Sequence, residues 1–224
     1  VFVINGDSSA VYIYSTEENQ WHTGPKLPEG TGRWKAAAVN YGGNIIYSGG
    51  LKKVIPIGEA PVASVHRLKL FPGGGIWRPM HHMREARHSH MMVNHNGNIY
   101  VIGGNETPCD IEMLTDQGFI KLTSLRLPIG KPQANAIVHN NSILITQGLS
   151  TCREQDSYHE TPGQWVDDSM IKIDINPSYP QRGSVSIHTL PIDTVYPNGC
   201  QSALIALSSE PSKNFHNFMS NLSH

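Results

Sequence analysis

Asn98-Ile99-Tyr100-Val101-Ile102-Gly103-Gly104 is a run of β-branched and aromatic residues stopped by two glycines. Such a run reads as a strand, and the glycines permit the sharp turn that ends it. The same pattern returns at Asn44 to Gly50 (NIIYSGG), at Ser142 to Gly148 (SILITQG) and, in shorter form, at Val1 to Gly6 (VFVING). Their last glycines stand at positions 6, 50, 104 and 148, which are intervals of 44, 54 and 44 residues. A period of this length is the spacing of a propeller or a solenoid, in which each repeat is one supersecondary unit.

Working outward, each of the three later runs is preceded by a second apolar stretch: Ala36 to Val39, Met91 to Val93 and Ala134 to Val138. Between the two lie NYGGN, NHNGN and HNNS, the Asn- and Gly-rich chemistry of hairpin turns. Two further strands follow each glycine run. They are clearest at Ala10 to Tyr14 and Gln20 to His22, after which Gly24-Pro25-Lys26-Leu27-Pro28 forms a proline-bearing connector. Four strands per repeat result, with the glycine-ended run read as an inner strand.

The third repeat carries a family resemblance. Met83-Arg84-Glu85-Ala86-Arg87-His88-Ser89-His90 followed by Asn98 to Gly104 resembles the first half of a kelch repeat, with its Arg, His and diglycine. The second half of such a repeat has an aromatic residue followed seven positions later by Trp, and Tyr14 to Trp21 reproduces it. Trp77 is present in the second repeat with Leu70 at the aromatic position, and the third and fourth repeats lack both members. The repeats have diverged: Asn5-Gly6 and Gln147-Gly148 replace the diglycine, and Ala36 and Ala134 stand where the third repeat has His90. The resemblance implies an all-β, kelch-type β-propeller of four-stranded antiparallel blades, about four of them, whose sheets pack face to face.

The expected blades are 1–30 completed by 199–207, then 31–83, 84–128 and 129–198, with a polar tail at 208–224. The first repeat lacks its first strand, and Gly199 to Leu207 (GCQSALIAL) has the character of that strand, so the two termini can complete one blade. Propellers of this kind commonly close in that way, which removes exposed sheet edges. Two readings stay open: a closed ring of four blades, or part of a larger ring, since six is the usual number in the family. Val1 to Gly6 reads as a strand already under way without an initiator Met, so a natural N-terminus further upstream is expected.

Composition narrows the function. Hydrophobic residues make up 38% and charged residues 16%, enough apolar material for a core and too little charge for a disordered chain. The formal charge of −1 provides no basic stripe, which argues against nucleic acid as a partner. No apolar stretch is long enough for a membrane-spanning helix. Cys109, Cys152 and Cys200 are odd in number and lack metal-type spacing, so a reducing, cytoplasmic setting is favoured over a disulfide framework. Sequons at Asn105, Asn140 and Asn221 acquire meaning only in a secreted chain.

Two insertions mark where binding chemistry is expected, because repeat scaffolds gather variation in the loops of one face. Leu51 to Ser64 carries Lys52, Lys53 and Glu59. Leu149 to Ser169 is longer and holds Arg153, Glu154, Asp156, Tyr158, His159 and Trp165. Both follow the glycine run, and in kelch propellers such loops surround the central channel on one face. The expected function is therefore a protein-protein interaction scaffold that binds a protein or peptide partner, as substrate adaptors of this family do, with no catalytic residue, metal or cofactor assigned. The alternative is a carbohydrate-active kelch enzyme. A sialic-acid mutarotase-like site would draw on Arg153, Glu154 and His159 for acid-base work. A copper-radical oxidase would need a Tyr-Cys crosslink, for which Cys152, Tyr158 and His159 supply only the residue types. His81, His82, His88, His90 and His95 fall close together in sequence, but alternation along a strand puts only His88 and His90 on one face and leaves the others in the preceding connector or the following turn, which argues against a shared metal.

Overall fold

The chain is described by a computed structural model at residues 1–6, 8–28, 30–54, 56, 58–71, 74–146, 149–150, 165–166 and 169–189. Every regular element among them is a strand. The first sheet consists of β1 (Phe2–Ile4), β2 (Val11–Ser15) and β3 (Gln20–Thr23) in the order β1-β2-β3. In the second blade, β4 (Ala37–Tyr41), β5 (Asn44–Ser48), β8 (Val65–Phe71) and β9 (Gly74–Pro79) form one sheet, while β6 (Leu51–Val54) and β7 (Gly58–Pro61) form a separate ribbon. The third sheet is β10 (Met91–His95), β11 (Asn98–Ile102), β12 (Asp110–Thr115) and β13 (Gly118–Arg126). The fourth is β14 (Asn135–His139), β15 (Ser142–Thr146), β18 (Ser169–Asn176) and β19 (Tyr179–Thr189), with a second ribbon of β16 (Leu149–Ser150) and β17 (Trp165–Val166).

These four antiparallel sheets are the blades of a β-propeller, as the glycine spacing predicts. The glycine-ended runs β5, β11 and β15 take the second place in their sheets, not the innermost. The first place belongs to β4, β10 and β14, and β10 lies against both of the others. The hairpin chemistry explains the order: NYGGN, NHNGN and HNNS turn each first strand directly into its glycine run, pairing Tyr41 with Asn44, His95 with Asn98 and His139 with Ser142. Asn96 and Asn140 adopt the left-handed backbone that a tight hairpin demands and that Asn tolerates better than most residues. Residues 199–207, expected to complete the first blade, and the tail 208–224 lie outside the described residues.

Alternation along the strands sends apolar side chains to both faces of the middle blades. Three apolar layers result. Val11, Leu27, Tyr47, Leu68 and Trp77 join the first blade to the second. Ile46, Val65, Met83, Ile99, Val101 and Phe119 join the second to the third. Tyr100, Ile111, Leu125, Ile143, Ile145, Ile171 and Ile173 join the third to the fourth.

The register corrects one alignment. Tyr14 faces Trp21 directly across β2 and β3, but Trp77 faces Leu68, not Leu70, because the β8–β9 ladder runs further toward its turn and eight residues, not six, lie between the paired positions. By the same register Leu114 faces Phe119 in the third blade, so an aromatic residue survives there where spacing from an aromatic partner shows none. Trp77 and Phe119 are 8% and 4% exposed because each packs on the preceding blade, and Trp77 Nε1 donates to Pro25 O at 2.8 Å in the connector of the first blade. Trp21 occupies the equivalent position on the first blade and is 59% exposed.

Candidate functional site

The repeat intervals of 54 and 44 residues place Arg33, Arg87 and Lys131 at one structural position, just before the first strand of each blade, and the backbone keeps that equivalence. Two residues further on, Lys35, Ser89 and Gln133 all have left-handed φ angles of 54°, 55° and 62°. They are linked in series: Ser89 N donates to Lys35 O at 2.8 Å and Gln133 N donates to Ser89 O at 2.9 Å. A chain of hydrogen bonds thus crosses from blade to blade at the end of the propeller where the glycine runs finish. Left-handed backbone at a non-glycine residue costs on the order of 1 kcal/mol, and here the inter-blade bonds hold it in place.

The three cations beneath this rim have been given different partners. Arg87 reaches Gly103 O at 2.7 Å and forms a fully buried ion pair with Glu112, whose carboxylate also accepts from Arg84 N at 2.7 Å and Glu85 N at 3.2 Å. In the second blade His66 takes the position of Glu112. Arg33 donates to Ser64 O at 2.9 Å, contacts His66 Nδ1 at 3.3 Å and lies 4.8 Å from the Tyr47 ring centre. Lys131 in the fourth blade donates to Ser169 O. Burial lowers the Arg33 and His66 pKa values and raises that of Tyr47. These groups tie each connector to its own blade and leave the chemistry of the rim to residues above them.

Those residues sit where the insertions emerge. The first insertion is a paired ribbon, with Leu51 opposite Pro61, Lys52 opposite Ala60 and Lys53 opposite Glu59. Its base is fixed by the pairing of Trp34 with Leu51, through Leu51 N to Trp34 O at 2.8 Å. Lys52, Lys53 and Glu59 are all exposed, and Trp34 is 42% exposed beside them. The ribbon of β16 and β17 leaves the fourth blade at the equivalent place, after β15, so both insertions rise from one end of the propeller. Arg153, Glu154, Asp156, Tyr158 and His159, together with Cys152, lie outside the described residues. Trp165 is described through its backbone pairing with Ser150.

Between the first ribbon and the third blade lies a group the sequence reading did not single out. His88 Nε2 is 3.2 Å from Glu106 Oε1, and His88 N donates to Glu106 Oε2 at 3.0 Å. His88 Nδ1 is 2.9 Å from Ser89 Oγ. Burial pulls the His88 pKa down and Lys35 adds to that, while the charges of Glu106 and Glu59 oppose it. Glu59, from the ribbon, and Lys35, from the second blade, therefore act on a third-blade imidazole. No local motif announces this set. The 54-residue interval aligns His88 and Ser89 with Trp34 and Lys35 but does not point to Glu106.

The histidines do not assemble. His81 and His82 are exposed in the connector, and His90 turns toward the second blade, where its Nε2 lies 2.9 Å from Ser48 Oγ. No group of three His, Cys, Asp or Glu side chains among the described residues is arranged to hold a metal ion. No helix among them is long and apolar enough to cross a membrane.

No known family profile matches the chain, and no curated protein matches it. Among solved structures, that of YjhT superposes with a TM-score of 0.59 at 17% identity, over 80% of this chain and 52% of the other. A fungal alcohol oxidase of the AA5 family, in complex with copper, superposes with a TM-score of 0.51 at 18% identity, over 66% of this chain and 34% of the other. The chain thus spans about half the length of the first and a third of the second. Identities this low show a common fold, consistent with the kelch-like propeller expected from the glycine runs, and nothing about chemistry.

Proposed function

We propose that the chain is a binding scaffold that engages a protein or peptide partner through the propeller end carrying the two ribbons. The observation that carries this reading is their placement: two insertions from non-adjacent blades leave at equivalent positions and present Lys52, Lys53 and Glu59, with Trp34 at the base. A rigid sheet framework lets such side chains engage a partner with little ordering cost. Arg153, Glu154, Asp156, Tyr158, His159 and Trp165 extend the same surface in this reading. A photo-crosslinking residue at Lys52 is expected to capture a partner that the same residue at Gln117, in the β12–β13 turn at the opposite end, does not. Equal capture at both positions overturns the reading, as does capture unchanged by joint replacement of Arg153, Glu154, Tyr158 and Trp165 with Ala.

The carbohydrate-active alternative rests on the kelch resemblance, with Arg153, Glu154 and His159 as its acid-base groups. Acceleration of α/β exchange of a free sialic acid, read from anomeric NMR signals, separates it from the scaffold reading, because a scaffold leaves that exchange rate at its solution value.

A further inference from the structure

We propose that Ser89, His88 and Glu106 form an acyl-transfer site at the rim of the propeller, taking small carboxylic esters with an acetyl-sized acyl group. The three side chains are in line: Ser89 Oγ to His88 Nδ1 is 2.9 Å, and His88 Nε2 to Glu106 Oε1 is 3.2 Å. This is the order of nucleophile, base and orienting carboxylate that activates a serine, and it is recognised by geometry and roles, not by sequence position. Glu106 holds His88 twice, through the ring Nε2 and through the backbone N–H at 3.0 Å, and a proton on Nε2 toward Glu106 leaves Nδ1 to accept the serine proton.

The arrangement is not required by the fold. At the equivalent positions the second blade has Trp34 and Lys35 and the fourth has Pro132 and Gln133, yet both build the same left-handed corner and the same inter-blade bonds. Ser89 is held from both sides, with its N–H on Lys35 O and its carbonyl on Gln133 N, so its hydroxyl is presented by a backbone that cannot relax. Burial lowers the His88 pKa, which favours the neutral imidazole that a general base needs. The charge of the exposed Lys35 acts on the same imidazole. Ser89 is 8% exposed, so only a small acyl group can approach it.

In the first half-reaction Ser89 Oγ attacks the ester carbonyl carbon and its proton passes to His88 Nδ1. The new C–O bond to Ser89 forms, the C–O bond to the alcohol breaks, and the imidazolium returns the proton to the departing alkoxide. Water then attacks the acyl-serine with His88 Nδ1 as base, releasing the carboxylic acid and restoring Ser89. Ester and water are consumed, and acid and alcohol are produced.

The test uses the whole chain, a fluorophosphonate and p-nitrophenyl acetate. The expected result is a phosphonyl adduct on Ser89 by peptide mass spectrometry, and ester hydrolysis that disappears in Ser89→Ala. Should that variant fail to fold, Ser89→Gly serves, since glycine accepts a φ of 55° without strain. His88→Gln is expected to slow hydrolysis by about 10²- to 10⁴-fold, the span of general-base catalysis. Glu106→Gln is expected to shift the pH profile of the remaining activity. No adduct on Ser89 in folded protein, or hydrolysis that survives loss of the serine hydroxyl, overturns the proposal. Partner capture at Lys52 is unaffected by either result, so the scaffold reading stands or falls separately.

Discussion

Arg87 and Glu112 form an ion pair with both side chains at 0% exposure. It fastens the connector that enters the third blade to the third strand of that blade. The remaining valences of the carboxylate are filled by the N–H groups of Arg84 and Glu85, so no oxygen of the pair is stranded. Removing one partner leaves an uncompensated buried charge. Glu112→Ala is expected to lower the unfolding free energy by about 3–5 kcal/mol, measured by urea denaturation, whereas the joint change Arg87→Met with Glu112→Leu costs much less. A double variant as unstable as the single one contradicts this account.

His90 contributes to the pH dependence of the fold. It is 6% exposed, and burial, together with the charges of Arg87, His88 and Arg33, pushes its pKa down to about 3. In the unfolded chain an imidazole titrates near 6.5, so between these values the unfolded state binds more protons and stability falls as pH falls. The contribution is whole above about pH 6.5 and is lost progressively toward about pH 3, at no more than about 1.4 kcal/mol per pH unit for one proton. His66 and His88, also shifted down by burial, act in the same direction. His90→Ala copies Ala36 and Ala134 of the sister blades and is expected to flatten the fall between pH 6 and 4 in a denaturation series. An unchanged slope rejects His90 as its source.

The reduction of the first diglycine to Asn5-Gly6 has a steric limit. A Cβ on Gly6 would lie 1.8 Å from the carbonyl oxygen of Arg33, the position at which Arg87 O receives Gly50 N one blade later. Gly42, in the β4–β5 hairpin, has φ of 54° and nothing within 4 Å of such an atom. Gly42→Ala is expected to cost about 1 kcal/mol, the strain of a left-handed alanine, and Gly6→Ala several times more, because backbone must move. Equal losses of melting temperature would show that the first blade does not press on Arg33.

The strands and their repeat were legible because their signals are local: alternation, Asn-Gly turns and terminal glycines each act within a few residues. Blade order followed from the 44- and 54-residue intervals. What spacing alone mistook was register, since the longer ladder of β8 and β9 makes Leu68, and not Leu70, the partner of Trp77. The rim was legible only in part. Lys52, Lys53 and Glu59 belong to an insertion that stands out by length, whereas His88, Ser89 and Glu106 meet because a connector and a later loop close on each other. Nothing in a one-dimensional pattern marks that meeting.

Trp21 and Trp77 occupy one position of the repeat and have opposite surroundings. Trp77 packs among Val11, Leu27 and Leu68 and donates to Pro25 O. Trp21 leans on Tyr14, with ring centres 5.1 Å apart, and otherwise faces out. Burial of the larger part of an indole is worth several kcal/mol, so Trp77→Ala is expected to cost about 3–5 kcal/mol through the cavity it leaves. Trp21→Ala removes contacts on one side only and is expected to cost under about 1 kcal/mol, the ordinary range for an exposed position. The intrinsic fluorescence of the two is separable in Trp→Phe variants: Trp21 is expected to emit at longer wavelength and to be quenched by iodide. A blue-shifted, protected Trp21 with a large stability loss on substitution would mean that its face is covered in solution.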